Sequence, residues 1–108
     1  MNDTLAELYQ VVEGRRTDPQ EGSYTCYLFE KGIDKILKKV GEESSEVIIA
    51  AKNNDNDETA NEICDLLYHL TVLMVNQNIP LDQVMGILDE RSKKIGNLKT
   101  FHVSDHNS

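Results

Sequence analysis

Apolar residues recur at intervals of three and four positions along most of the chain, a spacing that predicts amphipathic helices. We expect four of them, at about Thr4–Glu13, Gly32–Lys52, Glu58–Gln77 and Leu81–Ile95. Stretches rich in Asn, Asp, Pro and Gly separate these segments and favour turns. The aromatic segment Tyr24–Phe29 fits either a short strand or the start of a helix, and periodicity does not decide between them.

The third predicted helix is apolar almost all round. Its apolar residues are Ile63, Cys64, Leu66, Leu67, Leu70, Val72, Leu73, Met74 and Val75. Such a helix is buried on several sides, and a chain of 108 residues gains from burying more surface than it can alone. We therefore predict an all-α antiparallel helical bundle of about four helices, completed by dimerisation. We expect a single domain over residues 1–96 and a polar C-terminal tail over residues 97–108.

The charge balance and the cysteine content exclude several classes of protein. The 19 acidic and 11 basic residues give a net charge of -8, which argues against non-specific binding of nucleic acid. Cys26 and Cys64 are too few for a disulfide framework. The first residues have no secretory-signal pattern, and no apolar run reaches membrane-spanning length. We expect a cytoplasmic protein with no nucleic-acid or membrane partner.

Four acidic residues are arranged symmetrically about a predicted turn. Glu43 and Glu46 lie three positions apart on the second predicted helix, and Glu62 and Asp65 do so on the third. Residues three apart share a helix face. If the two helices are antiparallel about Asn54, Glu46 is level with Glu62, and Glu43 is level with Asp65. Four carboxylates would then meet across one helix pair.

Four convergent carboxylates require protons or cations to compensate their charge. An all-oxygen ligand set suits Mg²⁺ or Mn²⁺, and such ions can hold a polyphosphate and activate a water molecule. Lys35 and Lys39 fall on the same side of the second helix, where they could meet phosphate oxygens. Glu42 or Glu46 could accept the proton of the water.

Simpler interpretations exist for each of these residues. Acidic residues on helices commonly face solvent, and Thr59–Glu62 reads as a capping box that would hold Glu62 at a helix start. Glu42 could form an ion pair with a lysine one turn earlier. From the residues alone, His69 is more readily a hydrogen-bonded core histidine than a ligand, and Tyr68 a packing residue. The chain has no Glu-x-x-His pair, EF-hand loop or glycine-rich phosphate loop.

Two runs of sequence nevertheless resemble a known superfamily. Residues 39–47 (KVGEESSEV) and 62–70 (EICDLLYHL) are similar to the Glu-Glu-x-x-Glu and Glu-x-x-Asp motifs of the MazG-like all-α NTP pyrophosphatases. The flanking Lys39 and Tyr68–His69, with residues 22–25 (GSYT) upstream, narrow the resemblance to the phosphoribosyl-ATP pyrophosphatases. The likeness extends over about Ser23–Arg91. Ser44, Tyr24 and Pro80 depart from the frequent residues Ala, Trp and Ser, and none of these is a carboxylate.

The resemblance implies hydrolysis of phosphoribosyl-ATP to phosphoribosyl-AMP and pyrophosphate, the second step of histidine biosynthesis. It implies a homodimer, and Mg²⁺ (with Mn²⁺ as a possible substitute) as cofactor. The implied metal ligands are Glu43, Glu46, Glu62 and Asp65. Glu42 and Glu46 are the implied catalytic residues, and the implied substrate-binding residues are Lys35, Lys39, Thr25, Tyr68 and His69.

Two alternatives to this function remain open at the level of sequence. One is a house-cleaning pyrophosphatase of the same superfamily that acts on non-standard nucleotides or deoxynucleotides. The other is a non-enzymatic helical dimerisation module whose acidic residues are merely solvated. Saturable binding of Mg²⁺ would separate an enzyme from the second alternative.

Overall fold

The computed structural model describes residues 2–94, and within them it contains five α-helices and no strand. They are α1 (Thr4–Thr17), α2 (Tyr24–Lys31), α3 (Ile33–Lys52), α4 (Asn56–Asn76) and α5 (Leu81–Ser92). The all-α prediction is confirmed, with one helix more than expected. The predicted tail at residues 97–108, the end of the last predicted helix at Ile95, and Met1 lie outside the described residues.

The additional helix is α2, the aromatic segment that periodicity left undecided. Its start is fixed by Ser23, whose hydroxyl oxygen accepts a hydrogen bond from the backbone N–H of Cys26 at 3.2 Å. Its end is fixed by Gly32, which has φ of +91°, a conformation that residues with a Cβ rarely adopt. Because α3 begins at the next residue, α2 and α3 meet at a sharp corner.

The α3–α4 hairpin turns at the predicted place. Asn54 has φ of +58°, in the left-handed region that asparagine tolerates. Asp55 caps α4 by accepting a hydrogen bond from the backbone N–H of Glu58 at 3.0 Å. The capping box predicted at Thr59–Glu62 is wrong, because α4 already begins at Asn56. Glu62 therefore lies in the second turn, where its side chain is free to face α3.

The core lies between the first four helices. Its fully buried side chains are Val12, Leu28, Ile36, Val72 and Val75. Two side chains of α1 donate to backbone oxygens, Arg16 to Val75 at the C-terminal end of α4 and Tyr9 to Ile79 in the loop that follows. Among the described helices, none has the length and apolar character needed to cross a membrane.

Helix α4 is less buried in the single chain than its composition predicts. Ile63 and Leu67 are each 43% exposed, and Ile48 on α3 is 63% exposed. Further exposed apolar residues on α3 and α5 are Leu37, Ile49, Ile87 and Leu88. A single copy of the chain leaves these side chains uncovered, so dimerisation stays a prediction.

Candidate active site

Three carboxylates from α3 and α4 converge as their mirrored spacing predicts. One oxygen each of Glu43, Glu62 and Asp65 lies within 4.8 Å of the other two. Glu43 and Glu62 are only 6% and 9% exposed, whereas Asp65 is open to solvent. Together with Glu46, these residues are called the acidic cluster below. The hairpin registry centred on Asn54 brings them together.

Glu46 joins the cluster through hydrogen bonds with Glu62 and Glu43. Two carboxyl groups form such a bond when one of them carries a proton, and between Glu46 and Glu62 it is Glu62 that donates and Glu46 that accepts. These bonds lower the pKa of Glu46. The hydrogen bond with Glu46, followed by burial, raises the pKa of Glu62 to about 7. As the pH rises, Glu46 therefore ionises before Glu62 does.

Glu43 is the most buried member of the cluster. Burial, followed by the hydrogen bond with Glu46, raises the pKa of its carboxyl group. Its Oε2 atom is buried, and no donor reaches it from any of residues 2–94. Lys39 meets this carboxylate only at Oε1, so a shared proton or a further cation would compensate Oε2.

Lys39 and Glu42 lie beside the cluster. Nζ of Lys39 is 3.5 Å from Oε1 of Glu43 and 3.5 Å from Oε1 of Glu42. Glu42 thus makes the local ion pair that its spacing allows, with half of its side chain exposed. Lys39 places a positive charge at the edge of the acidic cluster, and the resemblance implies that it binds substrate.

His69 is buried behind the cluster, and both of its ring nitrogens are engaged. Nδ1 lies 2.7 Å from the backbone oxygen of Asp65, and Nε2 lies 3.0 Å from the hydroxyl group of Tyr24. Burial raises the pKa of Tyr24 above its ordinary value, so this hydroxyl group keeps its proton and donates to Nε2. His69 is thus a buried, hydrogen-bonded residue, and its implied role in substrate binding stays a prediction.

The remaining predicted substrate-binding residues lie on the α2 side of the cluster. The hydroxyl groups of Thr25 and Tyr68 are hydrogen-bonded to each other, and burial raises the pKa of Tyr68. The ammonium group of Lys35 lies 6.0 Å from the ring centroid of Tyr27. The ammonium group of Lys35 thus lies beside α2.

Tyr24 and Tyr27 are the residues in this region that the sequence analysis did not single out as site candidates. Their rings are stacked, with centroids 6.1 Å apart, and Tyr24 also stacks on Tyr68 at 6.1 Å. The i,i+3 spacing of the two tyrosines would have placed them on one face, had α2 been recognised as a helix. Their position beside His69 depends on how α2 packs against α4.

Known proteins are similar in sequence to most of this chain. A family model described as phosphoribosyl-ATP pyrophosphohydrolase matches residues 5–92. The chain is 59% identical over 98 residues to a phosphoribosyl-ATP pyrophosphatase of Clostridium botulinum, covering 91% of this chain and 89% of that protein. The chain belongs to the phosphoribosyl-ATP pyrophosphohydrolase family. The resemblance drawn from the two acidic motifs is thereby confirmed.

Other members of the phosphoribosyl-ATP pyrophosphohydrolase family are similarly close. A phosphoribosyl-ATP pyrophosphatase of Listeria innocua is 57% identical over 91 residues, covering 84% of this chain and 87% of that protein. A histidine biosynthesis bifunctional protein, HisIE, of Caldanaerobacter subterraneus is 56% identical over 92 residues. That match covers 85% of this chain and 45% of the bifunctional protein. These similarities favour an enzyme over a non-enzymatic dimerisation module.

The acidic cluster of this pyrophosphohydrolase has the donor set that a hard divalent cation requires. Its side chains offer oxygen atoms alone, and the buried Oε2 of Glu43 has no donor within residues 2–94. A cavity of about 390 Å³ adjoins Glu46 and Glu62, between the facing ends of α3 and α4. The residues present therefore fit a cation, with space beside them for a phosphate chain.

Proposed function

We propose that this chain hydrolyses phosphoribosyl-ATP to phosphoribosyl-AMP and pyrophosphate, the second step of histidine biosynthesis. The observation that carries the proposal is the convergence of Glu43, Glu62 and Asp65 within 4.8 Å, in a chain that belongs to the phosphoribosyl-ATP pyrophosphohydrolase family. A cytoplasmic location accords with a biosynthetic role of this kind and is part of the proposal.

Mg²⁺, or Mn²⁺ in its place, is the cofactor in this proposal. Glu43, Glu46, Glu62 and Asp65 would hold it, since their carboxylates give an all-oxygen ligand set. The metal would supply Lewis-acid polarisation of the phosphate oxygens and a lower pKa for the attacking water. The low exposure of Glu43 and Glu62 supports this role, because buried carboxylates require a compensating charge.

Two acidic residues are candidates for the proton acceptor. Glu46 is ionised at neutral pH and lies on the exposed side of the cluster, where a water molecule can approach it. Glu42 is the second candidate, although it already neutralises part of the charge of Lys39. In the proposal, Lys39 moves from its carboxylate partners to the phosphate oxygens, and Lys35 adds a second positive charge.

The proposed active form is a homodimer. The exposed apolar side chains of α3, α4 and α5, among them Ile48, Ile63 and Leu67, support it. Burying such side chains against a second copy would remove apolar area from water, which favours association. A bundle of helices from two chains would also bury α4 on the sides that one chain leaves open.

Pyrophosphate release distinguishes this function from its alternatives. Wild-type protein with Mg²⁺ is assayed on phosphoribosyl-ATP and on a panel of deoxynucleoside triphosphates, at equal concentrations. We expect the highest kcat/KM on phosphoribosyl-ATP. A higher value on a deoxynucleotide would instead favour a house-cleaning pyrophosphatase. Calorimetric titration with Mg²⁺ gives a second readout, because a merely solvated acidic surface would show no saturable binding at millimolar metal.

A further inference from the structure

Helix α2 presents two aromatic rings to solvent beside the acidic cluster. Tyr24 and Tyr27 are 44% and 40% exposed, and their rings are stacked with an interplanar angle of 23°. Exposed aromatic faces of this kind stack on nucleobases, with a gain of about 1–3 kcal/mol per base.

Two lysines lie beside the ring of Tyr27. The ammonium groups of Lys31 and Lys35 lie 5.8 and 6.0 Å from the ring centroid of Tyr27. They come from different helices, and the break at Gly32 brings them together. Four of the chain's 11 basic residues fall within positions 31–39, although the net charge is -8. Tyr24, Tyr27, Lys31 and Lys35 are called the α2 patch below.

An open cavity adjoins the α2 patch. It has a volume of about 610 Å³, and its lining includes Tyr24, Tyr27, Glu21 and Glu30. This volume lies within the range of small-ligand sites. The two carboxylates are acceptors for hydroxyl groups such as those of a ribose. The rings and carboxylates of this cavity match a base and a sugar. Lys31 and Lys35 do not line the cavity, and they lie beside Tyr27, where they could meet a phosphate.

The α2 patch is joined to the acidic cluster by hydrogen bonds through His69. Tyr24 donates to His69, whose Nδ1–H donates to the backbone oxygen of Asp65. The same tyrosine lies close enough to Lys39 and Glu43 for their charges to act on its hydroxyl group. Tyr24 therefore places the α2 patch beside the acidic cluster.

We propose that the α2 patch binds the phosphoribosyl half of the substrate, with Tyr24 and Tyr27 stacking on the purine and Lys31 and Lys35 binding the phosphate of the second ribose. This inference rests on the proposed function and deepens it. Phosphoribosyl-ATP differs from ATP in this second sugar phosphate, so discrimination between them requires a cationic site away from the triphosphate. The α2 patch supplies such a site.

The test compares the binding of two products that differ in the second sugar phosphate. Phosphoribosyl-AMP and AMP are titrated calorimetrically, with Mg²⁺, into wild-type protein, into a Lys31→Ala/Lys35→Ala variant and into a Lys52→Ala control. Lys52 is an exposed lysine at the opposite end of α3. We expect wild type and control to bind phosphoribosyl-AMP about tenfold more tightly than AMP, the value of one charge-assisted contact. The double variant should lose this difference and bind AMP as before.

A third variant separates the roles of the rings and the lysines. Tyr27→Leu should weaken the binding of both nucleotides while keeping their affinity ratio, because both contain adenine. Equal affinity of wild-type protein for the two nucleotides would overturn the inference, as would an equal loss of both in the double variant. Because these titrations involve no turnover, they are separate from the proposed function, which fails if wild-type protein releases no pyrophosphate from phosphoribosyl-ATP.

Discussion

The hydroxyl oxygen of Tyr24 lies 3.0 Å from Nε2 of His69 and joins α2 to α4. The backbone oxygen of Asp65, 2.7 Å from Nδ1 of the same ring, can only accept a hydrogen bond, so Nδ1 carries the proton and Nε2 accepts from the tyrosine. Both ring nitrogens of His69 are thus held by hydrogen bonds. Through His69, a residue of the α2 patch is connected to the backbone of a cluster residue.

Replacing Tyr24 by Phe should destabilise the fold, because Nε2 of the buried His69 loses its donor. We expect the free energy of unfolding, measured with urea, to fall by about 1 kcal/mol. Tyr27→Phe is the matched control, since no hydrogen bond to the Tyr27 hydroxyl group is found among residues 2–94, and it should be close to neutral. Equal effects of the two substitutions would show that the hydrogen bond to His69 contributes nothing to stability.

Replacing Glu46 by Gln should abolish most of the activity while leaving the fold intact. The substitution removes a charge from the cluster and replaces one acceptor oxygen by an amide NH2 group, which cannot accept the proton of Glu62. We expect Mg²⁺-dependent pyrophosphate release from phosphoribosyl-ATP to fall on the order of a hundredfold. Asp34→Asn, at an exposed acidic residue in the first turn of α3, should retain wild-type activity. Near-normal activity of the folded Glu46 variant would refute the proposed role.

The stability of the metal-free protein should fall as the pH rises from about 5 to about 8. The pKa of Glu62 is about 7 in the folded chain against 4.5 ordinarily, so within this window the folded chain keeps a proton that the unfolded chain has released. Folding is therefore most favoured at the acidic end, and the contribution is lost as the pH passes the folded pKa. The pKa of Glu46 is lowered, so its contribution to the stability of the fold increases as the pH rises. That increase lies below this pH window.

Urea unfolding in the presence of a chelator measures this pH dependence. The variant Glu62→Gln cannot ionise at this position, so its stability should vary less with pH than that of the wild type. Adding Mg²⁺ to the wild type near pH 8 should raise its stability, since the ion compensates the ionised cluster. A wild-type profile no steeper than that of the variant would contradict the assignment of the shared proton to Glu62.

Replacing Leu67 by Glu should disrupt the proposed dimer. Leu67 is 43% exposed on α4, and a charge at a buried interface position costs free energy unless it is paired. Light scattering after size exclusion should give about twice 12.2 kDa for wild type and 12.2 kDa for the variant. Val11→Glu, at an exposed position on α1, should leave the mass unchanged. A wild-type mass of a single chain would overturn the dimer.

The sequence by itself determined the helices of the hairpin and the meeting of the acidic residues. Helical periodicity and the turn at Asn54 are local properties of the chain, and the pairing of Glu43 with Asp65 follows once the helices are antiparallel. The family resemblance rested on these same residues. The start of α4, predicted at about Glu58 with a capping box at Thr59–Glu62 as an alternative, is set by Asp55.

The tertiary structure decided what surrounds the cluster. The aromatic segment became α2, and packing of α2 against α4 brought Tyr24 to His69, 45 positions away. No local pattern reports such a distant contact, because it depends on how two helices dock. The same packing buried Glu43 and left its Oε2 without a donor from residues 2–94. Burial and neighbouring charge, which set the protonation of the cluster, exist only once the helices have packed.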